Sequence, residues 1–283
     1  MADGLLNKKI AFIIQARMQS TRLPGKIFMP LPFNSDVPLL GRIVNVLKTS
    51  KTNHTIIVAT SSNPENDLLE VFCKEYEIAC FRGSEDDVLS RFTTLLYNSD
   101  FDVVVRLTAD NPFVDAELLD KALEEHLVSE ADYSFTKGLP LGMNLEIISA
   151  SAIQSLASKE LNDQEKEHVT LYIRNSGLYS VNCIESFAKE SYKSLRLTVD
   201  YPSDYLVASA LLDLHLKTGI AIGSKLVDYC LEHHPWIFEA NRNNFQKGNY
   251  TSLADEIQNV KPILEQLEFE KVLTLLASQL PKE

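Results

Sequence analysis

Between residues 10 and 129 short apolar runs alternate with amphipathic stretches, and this alternation limits the chain to very few architectures. Residues 10–14 are aliphatic or aromatic throughout. Residues 55–59 and 79–81 are β-branched or apolar, and residues 102–107 contain Val103-Val104-Val105. Runs of this length predict short strands, the valine run a central one buried on both faces. Between them, residues 39–51 carry apolar side chains at 39, 40, 43, 44 and 47, which is helical spacing. Residues 65–76, 87–98 and 115–129 also read as helices, the first with Asn63 as N-cap and Pro64 at the first helical position. Strands alternating with helices imply βαβ units and a mostly parallel sheet. In such sheets ligands bind beyond the carboxyl ends of the strands. Chemistry is therefore expected at residues 15–26, 60–63, 82–87 and 108–112.

The second half is less regular. Residues 133–146 are rich in turn formers and predict a flap or extended segment. Residues 164–175 read as a helix, 179–183 and 195–199 as strands, and 201–216 as a long helix. From Gly219 the pattern is helical and polar, and residues 253–280 predict one or two amphipathic helices. Such a tail suits dimerisation, a lid, or simple packing on the sheet. The expected organisation is one domain over residues 1–218 and a helical extension over 219–283 packed on it.

With 283 residues the chain can bury one large α/β core. Its formal charge of −12 argues against nucleic-acid binding, so any anion must be held by a local basic pocket. No run reaches the length of a membrane span, and the apolar run after Lys8-Lys9 is too short for a signal peptide. Cys73, Cys80, Cys183 and Cys230 lack metal-site spacing and read as reduced thiols of a cytoplasmic protein.

Three stretches carry chemistry. The loop after the first strand holds Arg17, Arg22 and Lys26 with Ser20, Thr21 and Gly25 between them. Three cations and two hydroxyls on one turn of an acidic chain form an anion site. It is not a Walker A loop, because Ser20 and Ile27 stand where that motif needs Gly and Ser or Thr. A second feature is a duplication. Arg106-Leu107-Thr108-Ala109-Asp110-Asn111-Pro112 and Arg196-Leu197-Thr198-Val199-Asp200-Tyr201-Pro202 share the pattern RLTxDxP. Each is read as a strand ending in Asp and entering a helix through Pro. Two such carboxylates on one crevice suit Mg²⁺, which takes one or two carboxylates plus phosphate oxygens. Each could instead cap its helix. The third stretch, residues 81–89, offers Arg82 and Ser84 to a base edge, or simply a turn with a cap at Asp86 or Asp87. Polar residues of 142–146 and 167–170 lie where an acceptor could bind.

Taken together these residues resemble the cytidylyltransferase family that includes spore coat polysaccharide biosynthesis protein F. The loop Ile14-Gln15-Ala16-Arg17…Ser20-Thr21-Arg22-Leu23-Pro24-Gly25-Lys26 carries the resemblance, and residues 81–89, 104–115, 167–170 and 197–204 follow in order. The family is similar to the acylneuraminate and deoxy-octulosonate cytidylyltransferases. The resemblance implies a Rossmann-like, glycosyltransferase-A-like nucleotide-diphospho-sugar transferase fold, a three-layer sandwich with a mixed, mostly parallel sheet. It implies that Arg17, Ser20, Thr21, Arg22 and Lys26 cradle the phosphates of CTP. Gln15, Ala16, Ser61, Arg82 and Ser84 would line the cytosine and ribose pocket, Asp110 and Asp200 would hold Mg²⁺, and Gly142, Glu146 and His168 would face the acceptor. Arg17, Lys26, Asp110 and Asp200 are the implied catalytic set, and a homodimer is the family-like assembly. The implied reaction moves CMP from CTP to an acidic sugar or phosphorylated small molecule, releasing pyrophosphate, in surface polysaccharide or glycan biosynthesis. Gln19 stands where the family usually has Gly, and Leu141 and Asn144 where relatives often have Asp, so the acceptor is not carried over. The alternatives are an enzyme using UTP or GTP, a nucleotide-binding protein without turnover, and a glycosyltransferase. The last is disfavoured because the two Asp do not form a DxD.

Overall fold

A computed structural model describes residues 8–244 and 253–277. Seven strands form one sheet: β1 (Ile10–Gln15), β2 (His54–Ser61), β3 (Ala79–Gly83), β4 (Val103–Thr108), β5 (Tyr133–Thr136), β6 (Glu146–Ser149) and β7 (Val181–Ile184). Their order is β3-β2-β1-β4-β6-β5-β7, and β6 alone among them runs against its neighbours. The helices of the first unit are α1 (Leu39–Leu47), α2 (Asp67–Glu75), α3 (Val88–Tyr97), α4 (Ala116–Ser129), α5 (Ala150–Ser155), α6 (Asp163–Glu167), α7 (Leu171–Asn175), α8 (Pro202–Thr218) and α9 (Ser224–His233).

Strand periodicity sorts these helices into two layers. In β1, Ile10, Phe12 and Ile14 face a core shared with α1, α2, α4 and α8. Ala11 and Ile13 face a second core shared with α3, α5 and α7. The central strands are buried on both faces, which is why they read as unbroken apolar runs. The mixed, mostly parallel three-layer sheet is the architecture expected from the sequence.

Local expectations differ from the structure at four places. Residues 195–199 are not a strand of the sheet. They make one isolated bridge, between Leu141 and Arg196, and bend at Thr198. The ladder cannot continue, because the next donors are spent in local turns, Met143 N–H on the Pro140 carbonyl and Leu195 N–H on that of Tyr192, and Gly142 turns the chain at φ +96°. Pro112 does not open a helix. It lies in a turn, and α4 starts at Ala116 with the Asp115 carboxylate accepting from Leu118 N–H. The single helix expected at 164–175 is two, divided at His168, with Val169 and Ile173 turned into the core while α6 buries no residue. Residues 64–66 form a separate 3-10 turn ahead of α2, and Asn63 caps it without a side-chain bond.

The chain forms two compact units, Met1–Asn244 and Phe245–Glu283. The first therefore runs past residue 218, because α9 and the turn after it place Leu226, Val227, Cys230, Ile237 and Phe238 in the same core as β1. In the second unit the one or two helices expected at 253–280 are two, α10 (Leu253–Gln266) and α11 (Glu270–Ala277), and residues 278–280 of that expectation lie outside the described residues. Among the described residues no helix is long and apolar enough to cross a membrane.

One buried group makes stability depend on pH. His126 on α4 is 2% exposed, and its Nδ1 bonds Ser134 Oγ of β5 at 2.8 Å. Burial pulls its pKa down from 6.5 to about 4. The fold holds the neutral imidazole, so its contribution is complete above pH 6.5 and is lost as pH falls toward 4. Linkage puts the loss at about 2 kcal/mol by pH 5. Urea unfolding of the protein and His126→Asn at pH 7.5 and 5 should show a smaller pH slope in the variant.

Candidate active site

The carboxyl ends of β1 and β4 open on a cavity of about 850 Å³. Its wall is built mainly from the loop after β1. Gln15 and Ala16 end the strand, and the chain then winds through residues 17–25 to a 3-10 turn at Lys26–Phe28. Gly25 begins that turn at φ +68°, a conformation other residues resist. Two neighbours fix the loop from outside. Asn66, fully buried, accepts from Met18 N–H at 2.9 Å and donates to Ser61 Oγ at 2.7 Å. Gln19 donates to Glu65 at 2.9 Å, so the residue that replaces the usual Gly gains an anchor.

Lys26 is the centre of the site. Its side chain is largely buried, and Nζ lies 3.0 Å from Asp110 Oδ2 and 2.9 Å from Asp200 Oδ1. The two copies of the RLTxDxP pattern thus meet at one ammonium, although only the first runs along a strand. Arg22 Nη2 reaches Asp200 Oδ1 at 3.1 Å with its guanidinium over the Tyr201 ring. Arg196 Nη2 reaches Asp200 Oδ2 at 3.0 Å. Arg196 is itself held by the fully buried Asp204 at 2.9 Å, and Asp204 accepts from Asn241 and Asn244. Asp110 also accepts from Thr108 Oγ1 at 2.6 Å. Burial pushes the Asp110 carboxyl up, but Lys26 and Thr108 more than reverse this and hold it below its ordinary range. The Asp110 carboxylate is thus kept ionised, as a cation site requires.

Arg17, Ser20 and Thr21 complete the cavity wall with Thr108 and Arg91. Arg91, on α3, was not singled out in the sequence. It is 2% exposed and donates to the carbonyls of Ser84 and Glu85, at 2.5 and 2.7 Å. Its position four residues after the cap Asp87, one turn into α3, was the available signal.

A family model described as cytidylyltransferase matches residues 11–217. The chain is 41% identical over 208 residues to the spore coat polysaccharide biosynthesis protein SpsF of Bacillus subtilis strain 168, covering 71% of this chain and 85% of that protein. The chain belongs to the cytidylyltransferase family. It is a nucleotidyltransferase, and the sheet is that of the nucleotide-diphospho-sugar transferase fold. A solved cytidylyltransferase from Leptospira borgpetersenii serovar Hardjo-bovis superposes with a TM-score of 0.73 at 27% identity, over 86% of this chain and all of that one. A CMP:2-keto-3-deoxy-manno-octonic acid synthetase complexed with CTP shares the fold, with a TM-score of 0.55 at 14% identity over 74% of this chain and all of that one.

Six residues expected at the site of this cytidylyltransferase lie off the cavity wall. Ser61 is fully buried, and its hydroxyl supports Asn66 from behind. Arg82 turns outward to Asp67 and Glu70, and donates to the carbonyls of Ser61 and Asn63. Ser84 Oγ accepts from Asp87 N–H in the turn before α3. Gly142 packs on the Thr198 backbone so closely that a Cβ would sit 2.5 Å from its nitrogen. Glu146 is bound by Arg106 at 2.5 Å, Tyr133 at 2.6 Å and Thr170 at 2.8 Å. His168 is the break between α6 and α7. Arg106 connects this group to the cavity by donating to Gln15 Oε1 at 2.9 Å.

The Ser61–Asn66–Met18 chain predicts a separable phenotype. Asn66→Ala strands the Met18 N–H and leaves the Ser61 hydroxyl only the longer bond from Asn63 N–H, at 3.3 Å, and should cost about 1–3 kcal/mol. It should raise KM for the nucleotide more than it lowers kcat, because the loop is loosened while Asp110 and Asp200 stay in place. Urea unfolding and steady-state kinetics together check this.

Proposed function

We propose that this cytidylyltransferase moves CMP from CTP to an acidic sugar or phosphorylated small-molecule acceptor, releasing pyrophosphate, in a Mg²⁺-dependent reaction. The observation that carries the proposal is the Lys26 ammonium bridging Asp110 and Asp200 within a wall that also holds Arg17 and Arg22. A cation already occupies the point where the two carboxylates converge, so the donor set suits a hard divalent ion. Among the described residues no group of three or more His, Cys, Asp or Glu side chains forms a metal cluster. Two carboxylates with the remaining positions left to phosphate oxygens and water match the habit of Mg²⁺. Asp110 and Asp200 would hold it, and it would neutralise charge on the triphosphate.

The chain's own residues supply the rest. Arg17, Arg22 and Lys26 hold the phosphates, with Ser20 and Thr21 as hydroxyl donors. An acceptor oxygen bonds to the α-phosphorus as the bond to the pyrophosphate oxygen breaks, and the cations stabilise the charge left on that oxygen. Positioning and electrostatics suffice for such a displacement, so no covalent enzyme intermediate is needed. Gln15 and Ala16 line the same wall and would meet the nucleoside. The Bacillus relative, named a spore coat polysaccharide biosynthesis protein, supports placing the reaction in surface polysaccharide biosynthesis.

A thermal-shift screen of CTP, UTP, GTP and ATP with Mg²⁺ tests the nucleotide, since a ligand of the native state raises apparent stability. CTP should give the largest shift. An equal or larger shift with another nucleotide overturns the base assignment. Pyrophosphate release with CTP across a panel of ulosonic acids and of sugar and polyol phosphates then identifies the acceptor. Binding of CTP without release for any of these would favour a binding protein over an enzyme of this reaction.

A further inference from the structure

The environment of Lys26 has a consequence for how metal and nucleotide bind. Its ammonium lies about equally far from one oxygen of Asp110 and one of Asp200. The opposite oxygens are also engaged, Asp110 Oδ1 by Thr108 and Asp200 Oδ2 by Arg196. Asp200 Oδ1 is shared with Arg22. The connected charges are Lys26, Arg22 and Arg196 against Asp110, Asp200 and Asp204, three of each sign. The cluster is balanced. A divalent ion entering it alone would add two positive charges and compete with an ammonium for both carboxylates, at small separations and among side chains partly shielded from water. A triphosphate changes the balance by bringing several negative charges and new acceptors for Lys26, Arg22 and Arg17.

We propose that Lys26 acts as an internal cation that occupies the carboxylate pair of Asp110 and Asp200 until nucleotide arrives, so that free divalent metal binds weakly and enters with the triphosphate. This rests on the assignment of the metal to Asp110 and Asp200, and goes beyond it by giving the order of binding and the residue that sets it. Lys26 then has two partners in one cycle: the carboxylates in the free enzyme and the phosphates in the complex. Removing its charge should favour metal and disfavour nucleotide, opposite effects that a purely structural lysine would not produce.

The experiment is a Mn²⁺ titration in the absence of nucleotide, with free Mn²⁺ read by electron paramagnetic resonance. It compares the protein, Lys26→Met, Lys26→Gln and the double variant Lys26→Met with Asp110→Asn, each confirmed as folded by circular dichroism. Lys26→Met and Lys26→Gln should bind Mn²⁺ at least about tenfold more tightly than the unmodified protein, since a competing cation beside the carboxylates is gone. The double variant should lose that gain. Adding CTP to the unmodified protein should lower free Mn²⁺ below the level that the same CTP sets without protein, and Lys26→Met should bind CTP more weakly. If both Lys26 variants bind Mn²⁺ no more tightly than the unmodified protein, while CTP still promotes binding, the role given to Lys26 is overturned and the metal assignment stands. If the double variant binds Mn²⁺ as tightly as Lys26→Met, the ion is not on Asp110 and the metal assignment itself fails.

Discussion

Asp110→Ala should lower kcat/KM for CMP transfer by about three orders of magnitude while leaving the melting temperature within a few degrees. The carboxylate is proposed to hold the ion that offsets charge on the triphosphate, and among the described residues no group of three or more ligand-type side chains offers a substitute site. Its structural duty is light. Lys26 keeps Asp200 at 2.9 Å when Asp110 is removed, and Thr108 still has Asn111 Nδ2 at 2.9 Å. Asp200 provides the contrast. Lys26, Arg22 and Arg196 all converge on it, so Asp200→Ala leaves three cations with only Asp110, on Lys26, and Asp204, on Arg196, to offset them. That variant should lose stability as well as activity. Pyrophosphate release and calorimetry on the two variants separate these outcomes. Measurable turnover in Asp110→Ala near the parent rate would remove Asp110 from the metal site.

The second large effect is expected at Glu146 and falls on stability. Its carboxylate accepts from Arg106, Tyr133 and Thr170. Burial pushes it up, but Arg106, Tyr133 and Thr170 together hold it ionised, below its ordinary range. Arg106 already has a buried Nε without a partner, so Glu146 is the only charge that compensates this guanidinium by a direct ion pair among the described residues. Glu146→Ala should therefore cost about 3 kcal/mol or more, the scale for breaking a largely buried pair from one side. It also frees Arg106 from the position in which it fixes the Gln15 amide, so KM for the nucleotide should rise. Chemical denaturation and kinetics on Glu146→Ala and Glu146→Gln check this. A stable Glu146→Ala with only a raised KM for the acceptor would return Glu146 to the acceptor-binding role that the family resemblance implied.

The parts of the site that could be read from the sequence were those whose chemistry is unusual for their place. Three cations in the first strand's loop, and two Asp each following Arg-Leu-Thr, stand out in a chain of net charge −12. The structure brings Arg17, Arg22, Lys26, Asp110 and Asp200 to one cavity. The central strands were equally legible, because a strand between two helical layers has no polar face. Depth and direction were not legible. Ser61 follows the strand read at 55–59, where a pocket residue is expected, yet it is the last residue of β2 and fully covered by its neighbours. The charge of Arg82 is spent on Asp67 and Glu70, an engagement that cannot be seen before β3 and α2 are packed. Residues 195–199 have the composition of a strand, but strand formation also needs a partner edge, and the local turns at Met143 and Leu195 leave only Leu141 to pair. Arg91 escaped notice because an arginine on an amphipathic helix reads as solvent-facing.

The clamp around Arg196 changes where this protein can be divided. The family match stops at residue 217, and a designer would cut there. Yet Asn241 donates to the Arg196 carbonyl and to Asp204, and Asn244 donates to Asp204 as well, each at 2.7–2.9 Å. Through Arg196 and Asp204 these amides reach Asp200, and Asp204 also accepts the Asp200 N–H at 3.0 Å. The segment after α8 thus serves as a keystone for a carboxylate met forty residues earlier, and the minimal transplantable module of this enzyme ends no earlier than Asn244.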